Sequence, residues 1–410
     1  MDSSSNKDLD QQSVNRIMVA RQPIYNNQMG VFGYELLFRS AGGEKERFEP
    51  VKATSRVLAS TVLDFDLEAF SQHRKLVINV TRAFLDVMQD IPLPANQIIL
   101  DIPDNCIIDI KLISKLKELK AAGYGISLGG YKNLKDQRLL PLADIFKVDV
   151  RRFNIDKLDL LIKFLRRYSR LSLLALKVET MEEYRTYCDK GFDFLQGYFL
   201  SKPRIYENRE LATSELSILQ LLSTVYDFET PVEELEKIIT HDASLSYKLI
   251  KLVNAPFFRV MREIDSIQQA IVLLGRKEIS KWASLLMLSG LKGKPVALME
   301  IALLRSKTCE LLAERADLQT QNYFSVGMFS ALDLLLKQPI KKILSHLPLT
   351  EEFKSAVVEH QGVLGEALSC ALAFENGEWS DISFADLDNS ELFEAYYQAI
   401  DWTDQVMRRL

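Results

Sequence analysis

Histidine and cysteine are scarce in this chain, four of each in 410 residues. Cys106, Cys188, Cys309 and Cys370 form no Cys-x-x-Cys pair. That speaks against a zinc site and a disulfide framework, and fits a reducing compartment. Charge of one sign is also missing. The formal net charge is -5, so no global basic field draws in nucleic acid. The local run 163–170, with Arg166, Arg167 and Arg170, reads as a solvated helix face. No apolar run approaches the roughly 20 residues of a membrane span; Trp282 to Leu288 is far shorter. The first 16 residues are polar and carry no apolar stretch of the secretory kind. These absences predict a cytoplasmic protein with no membrane span and no nucleic-acid partner.

What is present divides into two periods. From Ile17 to about Arg204, short β-type runs alternate with amphipathic stretches. The runs are 17–25, 31–39, 75–80, 97–103, 123–130, 145–150, 172–179 and 194–200, with helical spacing over 107–122 and 155–168. Only the first two runs are joined by a short loop, 26–30, so that pair is predicted to be antiparallel. Eight strands separated mainly by helices predict a TIM-type (β/α)8 barrel with an antiparallel first strand. An open doubly wound sheet is the alternative, weakened because no Gly-x-Gly-x-x-Gly follows the first strand. Beyond Tyr206 strand signals stop and successive helices follow, punctuated by Pro231, Gly275, Pro295, Pro339 and Pro348. The expected division is a tail over 1–16, a barrel over 17–207 and an all-α domain over 208–410.

In such barrels chemistry gathers at the C-terminal strand ends. The polar residues there are Glu35, Asn79, Asp101, Lys147 with Asp149, Glu179 and Gln196. Carboxylates and an amide oxygen suit Mg²⁺ or Mn²⁺ better than zinc, and two such ions run in-line phosphodiester hydrolysis. Any one of these residues is more simply a strand-end cap or half an ion pair; the set on six strands is not.

In order, Arg21-Gln22-Pro23-Ile24-Tyr25, Glu35-Leu36-Leu37, Asn79, Asp101, Lys147-Val148-Asp149, Lys177-Val178-Glu179 and Gln196-Gly197-Tyr198 resemble the EAL family of cyclic di-GMP phosphodiesterases over about 17–204. The resemblance implies metal ligands at Glu35, Asn79 and Asp101, catalytic groups at Lys147, Asp149 and Glu179, and dinucleotide contacts at Gln22, Leu37, Arg39 and Gln196. It also implies an acidic pair after the fifth strand, where this chain has Gly129 and Gly130. Asp101 stands where the family has Glu, drawing the carboxylate back by roughly 1.5 Å. Those departures predict a degenerate site whose catalytic and metal residues are vestigial. No cofactor is expected, with Mg²⁺ or Mn²⁺ entering only if residual hydrolysis survives.

The helical half resembles the HDOD family through Thr240-His241-Asp242-Ala243-Ser244-Leu245, Leu252-Val253-Asn254-Ala255, Ser266-Ile267, Ala270-Ile271 and Leu274-Gly275. The pairing of the two resembles the YuxH-like family. His241-Asp242 also suggests a metal-dependent phosphohydrolase, but only His346 and His360 accompany it in this half; Asp242 is more simply the N-cap of a helix starting at Ala243. Trp282, Trp379 and Trp402 read as packing residues. Three functions follow, in order: an inactive adaptor working through protein partners on the helical domain and the barrel, a cyclic di-GMP receptor without hydrolysis, and a weak phosphodiesterase. The resemblance also allows a homodimer.

Overall fold

The computed structural model describes residues 17–40, 71, 73–88, 93–130, 137–200, 218–219, 221–222, 224–225, 230–254, 263–290, 295–336 and 338–408. The chain divides into two compact units, Met1–Lys202 with Phe374–Trp379, and Pro203–Ala373 with Ser380–Leu410.

In the first unit eight strands close into a barrel in sequence order: β1 (Ile17–Asn26), β2 (Val31–Ser40), β3 (Lys75–Asn79), β4 (Ile98–Ile102), β5 (Gly125–Gly129), β6 (Ile145–Asp149), β7 (Ser172–Leu176) and β8 (Phe194–Gln196). β1 runs antiparallel to both its neighbours, β2 and β8, and every other pairing is parallel. The short connection is what reverses it: a parallel pair needs a long crossover. Asn26 Oδ1 accepts from the Gln28 and Gly30 N–H groups and folds that turn. The Tyr184 hydroxyl, from the far end of the barrel sequence, accepts from the Met29 N–H at 2.9 Å and donates to the Asn26 carbonyl at 2.6 Å.

The helices of this unit are α1 (Arg82–Val87), α2 (Ile110–Ala121), α3 (Ile155–Leu165) and α4 (Met181–Asp189). Thr81, Asp109, Asn154 and Thr180 cap their N-termini with side-chain oxygens. Between β5 and β6 the described residues form a 3-10 turn, Gln137–Leu142, with Pro141 inside it. Two strands stop earlier than the alternation predicts. β7 ends at Leu176 because Lys177 turns to φ 63°, and β8 ends at Gln196 because Gly197 turns to φ 152°.

The second unit is helical: α5 (Val232–His241), α6 (Ala243–Val253), α7 (Ile267–Leu274), α8 (Arg276–Ser289), α9 (Val296–Arg315), α10 (Tyr323–Phe329), α11 (Leu332–Leu336), α12 (Ile340–Leu344), α13 (Glu351–Glu359), α14 (Gly362–Asn376) and α15 (Asn389–Met407). The first of the helical stretches that the sequence sets beyond Tyr206, over 214–226, lies mostly outside the described residues. Asp242 does cap α6, accepting from the Ser244 and Leu245 N–H groups. Trp282 and Trp402 are buried with ring centroids 5.6 Å apart, the packing role expected of them. None of the described helices is long and apolar enough to cross a membrane.

Charge is buried between α8 and α9. Glu310 takes ion pairs from Lys281 and from Lys307, the latter at 2.9 Å. Lys281 also pairs with Glu278 and stands over the Phe324 ring. Burial pushes the Glu310 carboxyl up, but Lys307 and Lys281 outweigh it and hold it below the ordinary range. A carboxyl whose folded pKa is depressed contributes stability above its unfolded pKa and loses it as pH falls through the folded one. Stability of this unit should therefore decline below about pH 4.5. Glu310→Gln should cost about 1–3 kcal/mol at pH 7 and flatten that acid limb. Urea melts at pH 7 and pH 4 measure both effects.

Candidate functional site

Inward-facing residues stack in two layers inside the barrel, because side chains alternate along each strand. The lower layer is an apolar plug of Ile24, Val77, Ile99, Ile145 and Leu174, with Phe32, Leu176 and Phe194 packed against it. Two residues further on, towards the C-terminal strand ends, the same faces carry Asn79, Asp101, Lys147 and Gln196. Glu35 joins them from β2. β1 runs the other way, so its contribution, Gln22, comes two residues before its plug residue; it pairs in register with Glu35. The strands thus present one polar ring above one apolar floor.

The ring is closed by hydrogen bonds. Lys147 Nζ lies 3.0 Å from Glu35 Oε1 and 2.8 Å from Asp101 Oδ2. Asn79 Nδ2 donates to Glu35 Oε1 at 3.1 Å. Gln196 Nε2 donates to Glu35 Oε2 at 2.8 Å and to Gln22 Oε1 at 2.9 Å. Glu35, Asp101, Lys147 and Gln196 are all buried.

One ammonium faces two carboxylates, and their environments separate them. Burial alone would raise Glu35, yet the Lys147 charge and bonds from Gln196, Lys147 and Asn79 hold its carboxyl below the ordinary range. Burial pushes Asp101 up; Lys147 counters it, but the negative Glu35 adds to the rise. Burial alone would lower Lys147, and the two carboxylates overcome that and keep it above the ordinary lysine range. At neutral pH Lys147 is an ammonium and has no lone pair to act as a base.

The remaining predicted residues stand apart from this ring. Asp149 ends β6 and takes ion pairs from Lys177 at 2.7 Å and Arg152 at 3.2 Å. Glu179 lies three residues beyond the end of β7 and pairs with Arg151. Its backbone N–H is held by Glu183 Oε2 at 2.7 Å. The inward position on β7 at that level belongs to Leu176, which pairs in register with Gln196. Leu37 pairs in register with Ala20, and Arg39 with Met18; the Arg39 side chain lies outside what the structure describes. Gly129 sits opposite Lys147 in register.

Gly129 and Gly130 line a cavity of about 270 Å³ at the strand ends, together with Asp101, Lys147, Asp149 and Lys177. Among the described residues, a Cβ at Gly129 would meet only the Ile102 carbonyl, at 4.0 Å. At Gly130, φ is +79° and a Cβ would fall 2.6 Å from the Asp104 side chain. Sequence reasoning missed Asp104, Arg152 and Leu176 at this cavity. Strand alternation from Leu174 points to Leu176, whereas Asp104 sits in a turn and Arg152 ends the 3-10 turn Val150–Arg152, where strand periodicity does not apply.

The carboxylates of the ring are largely engaged with its own donors. Both Glu35 oxygens already accept hydrogen bonds, and Asp101 Oδ2 is held by Lys147. Asp101 Oδ1 and Gln196 Oε1 are buried oxygens with no hydrogen-bond partner among the described residues, and Ser127 is the neighbour of Asp101 on β5. Gly129 and Gly130 supply no side chain. No group of three or more His, Cys, Asp or Glu among the described residues is arranged to hold an ion.

Comparison with known proteins gives matches to both units. The HDOD domain model matches residues 211–369. YuxH of Bacillus subtilis is 32% identical over 412 aligned positions, which cover 96% of this chain and 99% of YuxH. The cyclic di-GMP phosphodiesterase CdgJ of Vibrio cholerae is 32% identical over 373 positions, covering 89% of this chain and 86% of CdgJ. Among solved structures, the PaMucR phosphodiesterase in complex with c-di-GMP is 22% identical with a TM-score of 0.39, covering 46% of this chain and 96% of that one.

Proposed function

The chain belongs to the EAL–HDOD family that includes YuxH and CdgJ, and from that premise we propose that it is a cyclic di-GMP signalling protein that acts through protein contacts and does not hydrolyse the dinucleotide. One observation carries this reading: β5 ends at Gly129, followed by Gly130, beside a Lys147 already clamped between Glu35 and Asp101. Two-metal hydrolysis needs carboxylates free to bridge the ions and an activated water. Here one of the two central carboxylates is fully committed to neutral and cationic donors. The helical unit and the outer face of the barrel are the surfaces for protein partners, a second copy of the chain among them.

The test is turnover. The full chain incubated with cyclic di-GMP and Mg²⁺ or Mn²⁺ is expected to release no linear dinucleotide above a protein-free blank. Release that disappears in Glu35→Gln would overturn the proposal. A second reading, weak hydrolysis, is favoured by the phosphodiesterase name of CdgJ, and the same assay decides between them.

Rebuilding the acidic pair gives a further expectation. Gly129→Asp meets no described atom closer than the Ile102 carbonyl at 4.0 Å and should leave the melting temperature within a few degrees of the parent. Gly130→Asp puts an L residue at φ +79° against Asp104. It should lose about 1–3 kcal/mol, read from the urea midpoint. Equal losses at both positions would contradict this account of the loop.

A further inference from the structure

The cavity at the strand ends has two differently charged sides. Asp104 places negative charge at the Gly130 end. The other side holds Lys177 and Arg152, two cations gathered on one carboxylate oxygen: Asp149 Oδ2 lies 2.7 Å from Lys177 Nζ and 3.2 Å from Arg152 Nε. One carboxylate cannot neutralise both, so this side carries an excess positive charge. The Asp149 side chain is only 13% exposed, while those of Lys177 and Arg152 are 55% and 62% exposed. The anion is therefore the anchor beneath, and the cationic heads face the opening. Asp149 is itself fixed, its Oδ1 accepting from the Arg151 N–H.

Lys177 holds this place at a cost. It stands at φ 63°, a left-handed conformation that sterics disfavour for a non-glycine residue. Strained residues persist where the surroundings hold them, and they gather at ligand clamps. The strain here turns the chain sharply out of β7 and carries the ammonium over the cavity mouth.

We propose that Lys177 and Arg152, gathered on Asp149, form a phosphate-binding pair that grips the phosphodiester of a nucleotide without a divalent metal. The proposal rests on the reading that a nucleotide meets the barrel rim, and not on whether that nucleotide is cleaved. An ammonium and a guanidinium give charge-assisted hydrogen bonds to phosphoryl oxygens, the arginine fork adding direction. The open space at Gly129 admits the ligand from the side of Lys147. Asp104 at the far end orients it with its phosphate towards Lys177.

Calorimetric titration of the full chain with cyclic di-GMP in EDTA tests this, with inorganic phosphate as a competing probe. Saturable binding is expected without metal, weakened about ten- to a hundredfold in Lys177→Gly and in Arg152→Met, and largely kept in Lys177→Arg. Glycine suits φ 63°, so Lys177→Gly should melt no lower than the parent, which separates a lost grip from a lost fold. Competition by inorganic phosphate would assign the contact to phosphoryl oxygens, as proposed. Binding that needs Mg²⁺ or Mn²⁺, binding unchanged in both variants, or no binding in either condition would each overturn the phosphate pair. Linear dinucleotide measured in the same samples reports on hydrolysis separately.

Discussion

Lys147→Met is expected to destabilise the barrel by about 3–5 kcal/mol, since removing one partner of a buried ion pair strands the other. Here it strands two, Glu35 and Asp101, both buried in the polar ring. The loss should depend on pH in a definite direction. Without the ammonium, burial pushes both carboxyls up, so the folded state binds protons more readily than the unfolded chain. Groups with raised folded pKa values stabilise at low pH and lose that contribution as pH rises through them. The variant should thus recover part of its deficit at pH 5 relative to pH 8. Urea midpoints at the two values provide the measurement. A deficit under about 1 kcal/mol, the range of exposed pairs, would mean that water reaches the ring and screens it.

The second large effect is expected at Gly197. Its φ is 152°, and an added Cβ would sit 2.1 Å from the Val178 carbonyl oxygen and 2.5 Å from the Val178 nitrogen. Both obstacles are backbone, so no side chain can rotate away. The ends of β7 and β8 would have to separate, breaking the bond from the Val178 N–H to the Gln196 carbonyl at 3.1 Å. Gln196 then moves, and with it the link between Glu35 and Gln22. Gly197→Ala should cost about 3 kcal/mol or more. It should also weaken any ligand contact at the rim, whereas an exposed alanine substitution such as Lys157→Ala should not. Near-parental stability of Gly197→Ala would show that the strand ends yield freely.

Much of the barrel could be read from alternation and loop length. The short connection after Tyr25 predicts the antiparallel start, and polar residues two positions past apolar ones predict Asn79, Asp101, Lys147 and Gln196 on one rim. What alternation does not carry is where a strand stops. Lys177 has no glycine or proline to announce a turn, so the β-type run reads on through Val178 and sets Glu179 at its end, where the family resemblance gives it a catalytic role. The backbone instead turns at Lys177, and Glu179 pairs with Arg151. Asp104 and Arg152, in turns beyond their strands, were unreadable for a related reason: their positions follow from tertiary contacts and not from a repeat. The two glycines could be located but not told apart. Open space at one and a left-handed backbone at the other are properties of the folded chain.

The Tyr184 hydroxyl that ties down the first turn joins positions 158 residues apart, and β1 finds its second neighbour only in β8. Contacts so distant in sequence close late. At ribosomal speeds of about 5–20 residues per second, the first hairpin waits on the order of ten to thirty seconds for its partner. Throughout that interval one edge of β1 offers unpaired backbone groups to any neighbouring strand. The emerging chain is therefore most exposed to mispairing before residue 200 is made, and a chaperone that shields this hairpin should raise the yield of folded protein.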